Sequence, residues 1–124
     1  MRFLSMIRIH ENGRKPDERL MRDMGKLMDE MTREGSLIRT AGLRPTAEGA
    51  RVRLSKGRLS VVDGPFTETK EVIGGYAVLD APTLQAAIEL TKRFLQVHGD
   101  GWELECEVRA LESPEFGAEG VRTA

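Results

Sequence analysis

The chain has one cysteine, no apolar stretch near the length of a membrane span, and no surplus of charge, and each of these absences removes a class of protein. A single cysteine, Cys106, cannot close a disulfide within one chain. With no CxxC pair and no Cys/His partners at metal spacing, a structural zinc site is excluded as well. Cys106 is expected to be a small core or strand residue. The apolar runs are only a few residues long, against the ~20 needed to cross a bilayer. "MRFLSMIRIH" carries charge where a signal peptide would be apolar, so a cytoplasmic protein is expected, with no membrane partner. Nineteen Lys and Arg stand against 20 Asp and Glu, a formal charge of −1, which gives no overall footprint for nucleic acid. Also missing are GxSxG, a P-loop, a dinucleotide fingerprint and HExxH. Nucleophilic hydrolysis, phosphate cradling, nicotinamide binding and zinc proteolysis lack their residues. No cofactor and no metal are expected, and proton-transfer chemistry or simple binding survives.

What is present is the patterning of one domain of 124 residues. "RFLSMIRI" alternates Phe3, Ser5, Ile7 and Ile9 with Leu4, Met6 and Arg8, a strand apolar on both faces. "ENGRKPDE" is a loop, with Pro16 suited to the first turn of a helix that keeps Leu20, Met21, Met24, Leu27, Met28 and Met31 on a stripe and stops at Gly35. A methionine-rich stripe suits a pliable groove, but a core stripe is the commoner meaning. "SLIRTAGLRPT" reads as a short extended piece. "ARVRLSKGRLSVVD" is a hairpin turning at Lys56-Gly57, and "VIGGYAVLD" a buried strand. Thr83 caps a second helix that carries Leu84, Ala87, Ile88, Thr91, Leu95 and His98 to a stop at Gly99. "WELECEVRAL" is a last strand with an acidic face, and 113–124 a polar tail.

The order is that of an α+β, ferredoxin-like βαββαβ domain with an enlarged middle hairpin over residues 1–112. Its helices would cover one face of the sheet. The other face needs cover, and a homodimer packed sheet to sheet through Trp102 and residues near Gly75 is expected to supply it.

The centre of the chain holds "DGPFTETKE". In a structural sense, Asp63 caps a turn that Gly64 and Pro65 shape, and Phe66 anchors the loop as a fully buried side chain. In a functional sense, Glu68, Lys70 and Glu71 form an ionic platform aimed at a cleft. His98, on the inward stripe at the helix end, is the patterned histidine, its charged form favoured by the helix C-terminus. His98 is thus a candidate acid or base near neutral pH. Glu68, Lys70, Glu71 and Arg44 are the candidate ligand-binding residues, with Lys70 or Arg44 holding a small-molecule anion.

"DGPFTETKE" resembles the DGPFAETKE signature of YCII-related proteins, and the resemblance runs from "MRFLSMIR" through "GLRPTAEGARVR" and "IGGYAVLDA" to "HGDGWELECEVRAL". It implies a dimeric α+β barrel. The relatives it brings in are bacterial, often accompany extracytoplasmic-function sigma factors, and include at a greater distance a chloro-hydroxymuconate dehydrochlorinase and muconolactone isomerases. A histidine and an aspartate form the active pair proposed for YCII-like proteins. Asp63 stands where the motif has its aspartate and His98 where many motif-bearing relatives have a histidine before glycine, so the resemblance implies His98 and Asp63 as the candidate catalytic pair. Two functions are therefore expected in competition. One is a cofactor-free isomerase or lyase acting on a small carboxylated substrate. The other is a small-ligand or protein-binding regulatory module with sigma-factor association.

Overall fold

A computed structural model of the chain describes residues 1–112, 115–117 and 120–122. Strand β1 (Arg2–Ile9) leads into helix α1 (Glu18–Glu34). Asp17, not Pro16, starts that helix: its carboxylate accepts the Leu20 amide at 2.8 Å, and Pro16 stands outside the first turn. Gly35 ends it at φ 81°, with the Gly35 amide on the Thr32 carbonyl and the Ser36 amide on that of Met31, 3.1 and 3.0 Å away. Strands β2 (Leu37–Gly42), β3 (Ala50–Ser55), β4 (Arg58–Asp63) and β5 (Val72–Asp80) follow. Helix α2 (Leu84–Gln96) starts where the Thr83 hydroxyl accepts the Ala86 amide at 3.1 Å, and β6 (Glu105–Ala110) completes the main sheet.

That sheet has the order β2-β5-β1-β6 with every neighbouring pair antiparallel, the arrangement of a ferredoxin-like α+β domain. The middle is enlarged differently from the sequence expectation. The "short extended piece" is β2, an edge strand of the sheet, whereas β3 and β4 pair only with each other. Lys56 and Gly57, at φ 52° and 77°, make the tight turn between them. The stretch read as a polar tail falls partly outside the described residues. Its described parts, β7 (Glu115–Gly117) and β8 (Gly120–Arg122), form a separate two-stranded ladder.

The core lies on one face of the sheet. Phe3, Leu37 and Leu79 from strands meet Leu27 and Met31 of α1 and Ala87 of α2. Strand alternation explains the choice: Phe3, Ser5 and Ile7 stand opposite Leu79, Ala77 and Gly75 on one side and Ala110, Val108 and Cys106 on the other. Both helices therefore share that face. The methionine stripe narrows in place, with Met31 2 % exposed and Met21 63 %. The outer face carries Leu4, Met6, Tyr76 and Val78, with no helix upon them among the described residues. Trp102 precedes β6 and packs toward α2, away from this outer face where the sequence reading set it.

Candidate functional site

The motif loop is tied down through Thr46, in the 3-10 turn Thr46–Glu48. The Glu11 carboxylate accepts both the Thr46 amide, at 2.8 Å, and its hydroxyl, and these two bonds hold the Glu11 carboxyl below its ordinary pKa. The same hydroxyl accepts the Phe66 amide at 3.3 Å. Gly64, joined to Pro65 by a cis peptide, donates to the Gly49 carbonyl at 2.9 Å. A Cβ on Gly64 would lie 1.6 Å from the Thr46 carbonyl oxygen, so only glycine fits.

Phe66 is half-buried rather than enclosed, and the Arg51 guanidinium stacks 4.0 Å above its ring. Arg51 also pairs with Glu68, whose carboxyl is held low by its own backbone amide and by that guanidinium. Arg8 is shared between Glu71, at 3.6 Å, and Glu107, at 3.7 Å, and Arg44 pairs with Glu48 at 3.0 Å. Lys70 is exposed, with no ion pair among the described residues. Asp63 ends β4, exposed, and its carboxylate makes no hydrogen bond to its own turn among the described residues. Arg8, Arg44, Arg51, Phe66 and Glu71 line an open cleft of about 580 Å³ at the base of the hairpin. Its arginines are already neutralised by carboxylates of the chain.

His98 is elsewhere. It lines a cavity of about 420 Å³ between the sheet and the two helices, walled by Ile7, Met28, Met31, Leu37 and Phe94. None of the described residues on this wall is charged. The sheet stands between this cavity and the outer-face pair Arg8–Glu71, so one chain does not bring His98 together with Asp63 or the motif carboxylates. The polar residues of its lining include Ser5, Thr40, Thr91, His98 and Cys106. Thr91 donates to the Ala87 carbonyl at 3.0 Å, so the 3.3 Å contact between the two hydroxyls is Ser5 donating to Thr91. Burial pushes the Cys106 thiol pKa up, outweighing the nearby Ser5 hydroxyl, which keeps the thiol protonated.

His98 Nδ1 lies 3.0 Å from the Phe94 carbonyl oxygen. A carbonyl only accepts, so Nδ1 carries the proton and Nε2 is the acceptor of the neutral ring. The ring meets Phe94 and Trp102 edge-on, at 5.1 and 5.7 Å between centroids. The Arg14 guanidinium stacks over the Trp102 ring at 3.7 Å. Arg19 caps the end of α2, donating to the carbonyls of Val97 and His98 at 3.2 and 3.1 Å. Here the structure reverses the sequence expectation. The helix end was to favour imidazolium, but burial first, and the Arg19 charge besides, lower the His98 pKa.

The folded protein thus binds this proton more weakly than the unfolded chain does. Just below the ordinary value of 6.5 the unfolded state holds more protons, so stability falls as pH drops through that window and is intact above it. Urea unfolding should therefore show a lower midpoint at about pH 5.5 than at about pH 7.5, and His98→Gln should flatten the difference. A slope unchanged by that substitution would remove His98 as its source.

The Ser5–Thr91 pair and the two arginines around the helix end were missed in the sequence. A serine inside an apolar strand alternation and a threonine on a core stripe were the available signals. Among the described residues no cluster of His, Cys, Asp or Glu could hold a metal, and no helix is long and apolar enough to cross a membrane.

Topology and cavity define a ferredoxin-like α+β domain with an apolar, histidine-bearing pocket under its helices. The sequence profile of the YCII-related domain matches residues 1–104, and the chain belongs to that family. An uncharacterized protein of Rhizobium meliloti (strain 1021) is 33 % identical over 102 residues, 82 % of each chain.

Proposed function

We propose that the cavity under the helices binds a small, neutral, mostly apolar molecule, and that His98 takes a proton from it in cofactor-free isomerase or lyase chemistry. The observation that carries this is a half-buried histidine, held as its Nδ1–H tautomer, on the wall of a pocket the size of a small ligand. In the reaction, a C–H beside a carbonyl gives its proton to Nε2 and its electron pair moves into the carbonyl. Returning the proton to another carbon isomerises the molecule; losing a leaving group completes an elimination. The uncharged wall argues against a carboxylated substrate, because a carboxylate there would be a charge without a partner. The free thiol fits a reducing, cytoplasmic setting.

One observation favours binding without turnover. The His98 Nδ1 proton goes to a backbone carbonyl and not to a carboxylate, so among the described residues no hydrogen-bonded carboxylate steadies the imidazolium that proton abstraction would create. Both readings place the ligand in the same cavity, and one experiment separates them. Small lactones and cyclic ketones are added in D2O, while NMR follows the His98 ring and the exchange of protons beside the carbonyl. Binding should move the His98 and core methyl signals. Enzyme-promoted exchange should fall by about 100-fold or more in His98→Gln. Binding with no exchange leaves the module reading, and shifts confined to the motif loop would overturn both.

A further inference from the structure

The β3–β4 hairpin pairs with no strand of the main sheet and stands clear of it beyond its base. Its register sets Val52 opposite Val61 and Leu54 opposite Leu59, so these four share one face, and they are 70, 64, 71 and 75 % exposed in that order. The other face carries Arg51, Arg53 and Arg58. Isolated large apolar side chains on a surface are ordinary, but four in one aligned patch are not. A two-stranded hairpin is also marginal in water without something against its apolar side.

The accessible surface of the chain is 9262 Å², where a folded monomer of 13.8 kDa exposes about 6600 Å². This is a surplus of roughly 2600 Å², to which the exposed hairpin residues contribute, against the ~800 Å² per partner that a stable dimer removes from water. One chain thus exposes more than a dimer contact requires, and it exposes an arm and a broad face together. A second copy presents the same two surfaces, so the contact can be made twice about a two-fold axis.

We infer that the β3–β4 hairpin is an arm that packs on a second copy of this chain, burying Val52, Leu54, Leu59 and Val61 against it with its arginine face outward. This goes beyond a contact between sheets, which alone would leave the arm's apolar face in water. The inference does not depend on what the cavity binds.

Two measurements test it. Sedimentation equilibrium compares the protein with the double variant Leu54→Glu/Leu59→Glu, whose changes lie outside the core. Hydrogen exchange of the unaltered protein at two concentrations reads the arm without any substitution. The expected result is a dimer weakened by about 100-fold or more in the variant, and protection of residues 50–63 that rises with concentration. A monomer at about 100 μM, or a dimer of unchanged strength in the variant with arm exchange independent of concentration, overturns the proposal. If the variant does not fold, the exchange data decide alone.

Discussion

Gly64→Ala is expected to destabilise the protein by about 3 kcal/mol or more, lowering its melting temperature by roughly 10 °C. The atom an alanine would add lies 1.6 Å from a backbone oxygen, that of Thr46, which cannot rotate aside as a side chain can. To admit it, the loop must leave the Thr46 turn, and that turn holds the bonds to Glu11 and Phe66 as well. Loss of one contact therefore releases a set of them. Gly25→Ala is the control: inside α1 a Cβ there meets nothing within 4 Å, and alanine should stabilise by about 0.5–1 kcal/mol through helix propensity. Thermal unfolding of both variants checks the pair. Equal effects would mean that glycine content, not the Thr46 contact, matters at position 64.

The second large effect is expected far from the motif. Phe3 is 1 % exposed at the centre of the sheet-to-helix core, and Phe3→Ala should cost about 3–5 kcal/mol. Phe66→Ala should cost less, about 1–2 kcal/mol, since its ring is half-buried and one side is covered by the Arg51 guanidinium. Denaturant unfolding gives both numbers. A motif phenylalanine as costly as Phe3 would show that the loop belongs to the folding core. The structure instead makes it a fastening between the arm's base and the end of β1.

Much of this architecture was legible in the sequence because its signals are local. Alternation in "RFLSMIRI", the stripe from Leu20 to Met31 and the stops at Gly35 and Gly99 depend on neighbours a few residues apart. The Lys56-Gly57 turn is of the same kind. What was not legible depends on pairing across the chain. Nothing local in "SLIRTAGLRPT" tells an edge strand from a linker; its partnership with β5 is set by Leu37 meeting Leu79. Nor does the hairpin's own alternation say that it joins no sheet. The site was harder still. The motif's density of charge drew attention to Glu68, Lys70 and Glu71, whereas the cavity under the helices has, among the described residues, an uncharged wall whose Ser5 and Thr91 are separated by 86 positions. His98 was found by its helical spacing, but its protonation turns on burial and on Arg19, 79 residues away.

The alternation of β1 has a further effect on how the molecule can change over evolutionary time. Phe3, Ser5 and Ile7 look toward the helices, and Leu4, Met6 and Arg8 look away from them, so a single strand serves two compartments without sharing a side chain between them. Substitutions at alternate positions can retune what the interior accepts or what the exterior meets. The two faces are then free to diverge separately among relatives, with the backbone ladder of the sheet as the wall that insulates one lineage of changes from the other.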